Sequence, residues 1–452
     1  MQRGNLSRRG FMQRSLTALT LGAGLPAWYA SEVFGAAQQD AKAPAGDKLV
    51  FAAIGIGSPQ SRNRAVVGDA LNAGKGNVLF TAVCDVDANH RDRAVEDMKK
   101  RGQEVKAYKD FREVNDRKDI NAVTIATPDH WHALIAIDAM RKGKDVYCEK
   151  PMTLSQAEGK AIIKVAKETG RIFQVGSQQR SDARFRLACE LVRNGRIGKL
   201  QRVETRIGSN PTGTFKVEEP PSNLDWDMWL GPRPKVEYVK QRCHYEFRWW
   251  YDYSGGKLTD WGAHHNDIAQ WGMGMDESGP TAVEGEGAAP SKEPNSYNCH
   301  PTFKVTYTYA NGVKLICTHN QLPDAVDRNA ENKGHDNGVL FVGEKDQWIF
   351  VNRGKIAASD KKLIDEPLGA DAKKLYLSSN HMGNFLDGIR TRKPCVCTAE
   401  VGHHSVTVCH LGALTLRTGK SFKWDPAKET SDNPEVNALL NPAMRAPWKL
   451  DA

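Results

Sequence analysis

Between Leu49 and Val175, short apolar runs alternate with helix-like stretches, and this alternation restricts the fold more than any other feature of the chain. The runs are Leu49 to Ile56, Val78 to Val83, Ala122 to Ala126, Asp145 to Cys148 and Ile172 to Val175. A strand that is apolar at consecutive positions is buried on both faces, which requires helices above and below it. Strand–helix–strand repetition of this kind predicts a parallel, doubly covered sheet.

The turn after the first run reads Gly55-Ile56-Gly57-Ser58-Pro59-Gln60. In a dinucleotide fold one glycine makes the turn, a second lets backbone approach the pyrophosphate and a third packs helix on strand. Gly55 and Gly57 fit the first two roles, whereas Gln60 stands in the third place and predicts a longer phosphate loop with Ser61-Arg62-Asn63-Arg64. The second run ends in Cys84-Asp85-Val86-Asp87. An acid at that strand end accepts hydrogen bonds from an adenosine ribose and repels a 2′-phosphate, so Asp85 favours NAD over NADP. The third run ends in Thr127-Pro128-Asp129-His130-Trp131-His132, and the fourth runs into Glu149-Lys150-Pro151. Residues at the carboxyl ends of such strands border the cofactor crevice. Thr127, Pro128, His132 and Glu149 are therefore expected to line it.

The second half reads differently. Thr302 to Tyr309 and Val313 to His319 alternate around Asn311-Gly312 like an antiparallel hairpin, continued by Val339 to Val342 and Gln347 to Val351. Asn380 to Ile389 and Thr398 to Leu416 read as closing helices. Earlier, Asp260-Trp261-Gly262-Ala263-His264 follows a stretch rich in Trp and Tyr. A helix capped at Thr259 or Asp260 and running to about Trp271 would put Asp260, His264 and Asp267 on one face and His265 on another. A metal centre from Asp260, His264 and Asp267 is the weaker reading of that face, so no metal is expected there. His265 is expected to pack or to make one structural hydrogen bond.

In their order and spacing, Gly55-Ile56-Gly57, Ala126-Thr127-Pro128-Asp129-His130, Cys148-Glu149-Lys150-Pro151 and Asp260-Trp261-Gly262-Ala263-His264 resemble the glucose–fructose oxidoreductase/inositol dehydrogenase (Gfo/Idh/MocA) family. The resemblance implies an N-terminal Rossmann domain, residues 48–178, and an α+β domain with an open, mainly antiparallel sheet, residues 179–452. It also implies a homodimer or homotetramer assembled through that sheet, and a cis bond before Pro151. Lys150 corresponds to the family lysine that bonds the reacting hydroxyl, and His264 to its general acid–base histidine. Asp260 would orient or charge-stabilise that histidine. Gln178 and Arg180 sit where relatives approach cofactor and substrate, and Tyr251 is a candidate for the substrate wall. The implied chemistry is hydride transfer between NAD and a sugar or cyclitol carbinol carbon, with His264 taking the hydroxyl proton. Two other readings stand beside it: redox-neutral glycoside hydrolysis through a keto-sugar, and a sugar-binding protein without catalysis.

Composition narrows the rest. The net charge is +9, but residues 1–37 hold four arginines against Glu32, so +6 remains, scattered among acids. That pattern, with no zinc-finger or recognition-helix signature, argues against a nucleic-acid partner. No stretch approaches the ~20 apolar residues of a membrane span. Ser7-Arg8-Arg9-Gly10-Phe11, a mildly apolar segment and Gly35-Ala36-Ala37 read as a twin-arginine export signal over residues 1–37, followed by a linker over 38–47. The expected location is thus periplasmic, with folding and NAD uptake before export and the cofactor held tightly. The nine cysteines are too few and too dispersed for a disulfide framework and are expected to be mainly free and buried.

Overall fold

A computed structural model describes residues 24–42, 47–320 and 337–450. Six strands form the first sheet: β1 (Leu49–Ile54), β2 (Val78–Cys84), β3 (Lys106–Tyr108), β4 (Ala122–Ile125), β5 (Asp145–Cys148) and β6 (Phe173–Val175). They run in the order β3-β2-β1-β4-β5-β6, and every pairing is parallel. The order reverses direction between β1 and β4, and there the carboxyl strand ends open a crevice. The five expected strands are all present. β3, only three residues long, left too little pattern to be read in advance.

The second sheet has nine strands: β7 (Arg202–Arg206), β8 (Ala282–Gly287), β9 (Phe303–Thr308), β10 (Lys314–Thr318), β11 (Gly338–Val342), β12 (Trp348–Val351), β13 (Ile356–Ala358), β14 (Phe422–Asp425) and β15 (Thr430–Ser431). Their order is β13-β12-β11-β7-β10-β9-β8-β14-β15. Only β7 with β10 is parallel; the other pairings are antiparallel. Tyr307, Leu315, Phe341 and Val351 face the core beneath helix Ala183–Arg193 and helix Gly262–Met273. Each such buried side chain contributes about 1.5–3 kcal/mol.

Helix Ala399–Thr418 joins the two cores: Ala399 and Val406 pack with the first sheet, and Val408 and Leu411 with the second. Gly412 makes this passage possible, since a Cβ there would lie 2.1 Å from the Tyr307 hydroxyl. The helix His381–Thr391 departs from the expected boundary at residue 178. Met382, Phe385 and Ile389 pack into the first domain's core, with the Phe385 and Phe51 rings 6.2 Å apart. The chain thus returns to the Rossmann domain after building the second sheet.

The N-terminal expectation also meets a difference. Helix Ala27–Lys42 spans the anticipated Gly35-Ala36-Ala37 cleavage point and the start of the anticipated linker. Tyr29 and Ala30 are fully buried in the second domain, the Trp28 indole donates to the Ile364 carbonyl at 3.2 Å, and Glu32 pairs with Arg186 and Lys374. Tyr29 and Val33, one turn apart, supply an apolar face that docks. The twin-arginine pair lies outside the described residues. No described helix is long and apolar enough to cross a membrane. All nine cysteines are free and buried.

Candidate functional site

A cleft of about 690 Å³ opens at the carboxyl ends of β1, β2, β4 and β5 and is closed on its far side by residues 224–248. Its size is typical of a cofactor site. Of the residues expected here, Gly55, Gly57, Gln60, Asp85, Thr127, Pro128, His132, Glu149 and Lys150 all line it.

The floor is the turn after β1. Gly55 and Gly57 have φ of 71° and 64°, and a Cβ on Gly55 would lie 2.7 Å from the Thr127 amide nitrogen. Glycine alone meets both demands at little cost. Gln60 is tolerated in the third-glycine place because the helix begins only at Arg62. The close packing of helix on sheet is made instead by buried Asn63, which donates to the Ile54 carbonyl at 2.8 Å and accepts from Thr124 Oγ1 at 2.9 Å. Asp85 Oδ2 accepts from the Gly57 amide at 2.7 Å, and burial pushes its pKa up.

The wall over β4 and β5 is tied together by His132, whose ring nitrogens lie 2.8 Å from the Pro151 carbonyl and 2.9 Å from the Thr127 carbonyl. The Lys150–Pro151 bond is cis. Glu149 Oε1 accepts from Arg62 Nε and from Gln178 Nε2, both at 2.8 Å. Gln178 therefore stands behind the cleft wall and acts on it through Glu149.

Lys150 is the junction with the second domain. Its Nζ donates to Asp260 Oδ1 at 2.6 Å and to the Asp260 carbonyl at 3.0 Å. An ammonium has three hydrogens, so one remains for a ligand oxygen in the cleft. Burial acts to raise the Asp260 pKa, but Lys150 and Arg248 outweigh it and hold the carboxyl down at about 2. Arg248, whose Nε is 3.5 Å from Asp260 Oδ1, lines the cleft as well.

The expected single helix from Asp260 is in fact two. Lys257–Asp260 forms one turn, entered through Gly256 at φ 64°, and Gly262–Met273 follows after Trp261. Asp260 is the last residue of the first piece, not a cap, and its carboxylate turns toward Lys150 and Arg248. Among the described residues no hydrogen bond joins it to His264, so the anticipated orienting role falls to other contacts. Gln179, with its amide turned to suit both partners, donates to the His264 carbonyl at 2.8 Å and accepts from Arg353 Nε at 3.2 Å.

His264 is buried beside Trp261, with ring centroids 5.6 Å apart, and its Nδ1 has no hydrogen-bond partner. Burial lowers its pKa well below the ordinary value, and Lys150, Arg353, His265 and Arg62 push in the same direction. The imidazole is thus neutral at neutral pH and able to accept a proton. The Lys150 charge acts on it, and it does not itself line the cleft wall. His265 pairs with Asn337, and burial lowers its pKa to about 4.

Two expected residues lie elsewhere. Arg180 is 2% exposed and bound to Asp267 at 2.7–3.0 Å and to Asp276 at 2.7 Å. With Nε and Nη2 bound to buried Asp267 and partly exposed Asp276, it fastens the helix Gly262–Met273, and it does not line the cleft. Asp267 is used up in the same pair. Tyr251 faces a separate small hollow, where its hydroxyl meets His300 Nδ1 at 3.0 Å. Of the aromatic stretch, Trp229, Tyr245 and Phe247 reach the cleft, while Trp249, Trp250 and Tyr253 are buried packing.

Sequence reasoning placed Arg62 in the phosphate loop but missed its bond to Glu149, and it missed Arg248 and the special state of Asp129. Asp129 lines the cleft, accepts from Ser254 Oγ at 2.5 Å and is driven by burial to a pKa of about 7. Its neighbour in the Thr-Pro-Asp-His motif gave a signal for position but none for protonation.

Comparison with known proteins follows the same division. Residues 49–177 match the model described as an oxidoreductase family, NAD-binding Rossmann fold (GFO_IDH_MocA), and residues 210–450 match its C-terminal alpha/beta domain (GFO_IDH_MocA_C2). The uncharacterized oxidoreductase YrbE of Bacillus subtilis is 27% identical over 318 residues, 69% of this chain and 80% of that protein. Inositol 2-dehydrogenase of Salmonella typhimurium is 30% identical over 130 residues, 28% of this chain and only 38% of that enzyme. Among solved structures, the WlbA dehydrogenase of Bordetella pertussis, in complex with NADH and UDP-GlcNAcA, superposes with a TM-score of 0.60 at 17% identity, covering 84% of this chain and 98% of that one. The myo-inositol dehydrogenase of Lactobacillus casei, in complex with NAD(H) and myo-inositol, gives a TM-score of 0.56 at 17% identity, covering 86% and 99%. At these identities the structural likeness speaks for the fold alone.

Proposed function

Since the chain belongs to the Gfo/Idh/MocA oxidoreductase family, we propose that it transfers a hydride between a sugar or cyclitol carbinol carbon and NAD bound in the cleft. The observation that carries this reading is the Lys150 ammonium, held by Asp260 at 2.6 Å at the carboxyl end of β5 with a hydrogen to spare. The cleft suits a dinucleotide: the Gly55–Gly57 turn would take the pyrophosphate, Thr127 and Pro128 the nicotinamide side, and Asp85 the adenosine ribose. An acid in that place favours NAD over NADP. The cofactor, when bound, supplies the hydride acceptor or donor.

The protein's part is to bind, orient and move a proton. Lys150 donates to the substrate oxygen and stabilises charge that builds on it as the C–H bond breaks. Asp260 keeps that ammonium aimed. His264, neutral and buried just behind the cleft wall, takes the hydroxyl proton through one bridging water when the alcohol is oxidised and returns it in the reverse direction. The dinucleotide stays with the protein through export by the twin-arginine route, and the second sheet's open face assembles two or four copies.

The test begins with the purified chain, denatured and examined by mass spectrometry for released nucleotide. NAD in stoichiometric amount, and nicotinamide reduction on adding members of a sugar and cyclitol panel, are the expected results. Cleavage of aryl glycosides without net redox change would move the reading to hydrolysis through a keto-sugar. Absence of any nucleotide affinity would end it.

A further inference from the structure

Where His90 and His244 line the cleft, one ligand atom each of Asp87, His90 and His244 lie within 4.8 Å of one another. It is the one such cluster among the described residues. Asp87 and His90 are three residues apart at the start of helix Ala88–Lys100, so they share a face. His244 comes from the second domain, in the segment that closes the cleft.

The two oxygens of Asp87 are differently employed. Oδ1 accepts from the Asn89 amide at 2.9 Å, from the His90 amide at 3.3 Å and from Asn223 Nδ2 at 2.9 Å. Oδ2 is left to the histidines, 3.5 Å from His244 Nε2 and 4.0 Å from His90 Nδ1. These gaps are longer than the ~2.7–2.9 Å of a charge-assisted hydrogen bond. They approach the ~3.4 Å edge of a tetrahedron whose bonds are ~2.0–2.1 Å, the bond lengths of zinc to imidazole and carboxylate. The rings stand 4.7 Å apart at 60°, edge toward face, and not stacked over the space between them. The Asp87 side chain is 6% exposed and that of His244 is 46% exposed, so one side is fixed and the other open to entry.

We propose that Asp87 Oδ2, His90 Nδ1 and His244 Nε2 bind a divalent transition ion of the zinc class, completed by water on the open side. Two imidazoles and one carboxylate form a donor set suited to zinc, and poorly suited to calcium or magnesium, which prefer all-oxygen shells. The ion joins the two domains where they already meet through Ala88 N to the Asn223 carbonyl at 2.8 Å and Asp225 N to the Val86 carbonyl at 3.2 Å. It acts as a staple on the cleft rim, next to Asp85. The consequence that the staple slows NAD release rests on the cofactor reading above; metal binding itself does not, so the two can fail separately.

The experiment uses the untagged full chain, stripped with chelator, dialysed and titrated with zinc chloride by calorimetry, then with cobalt(II) by absorption. One equivalent of zinc with a dissociation constant of about 10 μM or tighter, and the intense visible bands of tetrahedral cobalt, are expected. His244→Ala and His90→Ala should each weaken binding by about tenfold or more, with the far-ultraviolet circular dichroism unchanged. Because His244 is half-exposed, its variant carries little folding risk; should the His90 variant misfold, the His244 variant and the cobalt spectrum decide. Zinc affinity unaltered by His244→Ala, weak octahedral cobalt bands, or no binding at micromolar zinc would overturn the proposal.

Discussion

Replacing Asp129 by Asn should make the protein more stable at alkaline pH and remove one component of its pH dependence. Asp129 is 3% exposed and has a pKa of about 7 in the fold, against 3.8 ordinarily, with burial as the leading cause. The folded state therefore binds a proton that the unfolded chain releases. For a raised pKa, the stability contribution is complete below the unfolded value and is lost as pH rises through the folded one. Between about pH 5 and pH 8 most of the change spans two pH units, at about 1.4 kcal/mol each, or about 3 kcal/mol in total. The Asn variant keeps an oxygen for the Ser254 hydroxyl and has no proton to lose. Urea unfolding of both proteins at the two pH values, followed by tryptophan fluorescence, gives the double difference directly. A variant whose advantage over the parent grows by about 3 kcal/mol from the lower to the higher pH is expected. An advantage that changes by less than about 1 kcal/mol would refute the buried, protonated carboxyl.

Further outcomes follow from other contacts. His381, between Ser181 Oγ at 2.9 Å and the Val175 carbonyl at 2.8 Å, has its pKa lowered to about 4 by burial, so its contribution is present above about 6.5 and lost as pH falls toward 4. His381→Gln should flatten the acid limb of stability by about 2 kcal/mol between pH 7 and pH 5, measured by the same urea titrations. Gly55→Ala places a Cβ 2.7 Å from backbone at φ 71°, and the strain of about 1–3 kcal/mol should weaken NAD binding about tenfold or more, read by fluorescence titration. Asp260→Asn removes the carboxylate from the partly buried Lys150 ammonium and should cost about 1–3 kcal/mol of stability by thermal or urea unfolding, with turnover falling about a hundredfold.

The Rossmann half was legible because both-face burial writes strands as unbroken apolar runs, and topology then assigns their carboxyl ends to the crevice. Gly55, Asp85, Thr127 and Lys150 follow from that pattern alone. Arg180 could not, because nothing near it in the chain announces Asp267 and Asp276, residues 87 and 96 positions away, that bury it. The break at Trp261 was hidden as well. The i, i+4 spacing of Asp260 and His264 fits one helix, and Trp261 keeps helical dihedrals (φ −83°, ψ −29°), but the His264 amide turns to the Trp261 carbonyl at 3.0 Å and the ladder is interrupted there. Helix Ala27–Lys42 has an alanine-rich composition that suits both a small-residue cleavage region and a helix, and nothing local announces the burial of Tyr29 in the second domain. The Asp87, His90 and His244 cluster joins residues more than 150 positions apart, beyond the reach of any local pattern.

The proposed proton transfer to His264 is tested most directly by single-turnover nicotinamide absorbance with His264→Ala, using the substrate that gives the largest signal with the parent. The account predicts NAD affinity within about threefold of the parent and hydride transfer slowed by about 10²–10⁴-fold, the range for loss of a general base. An unchanged transfer rate in the folded, NAD-bound variant would contradict it.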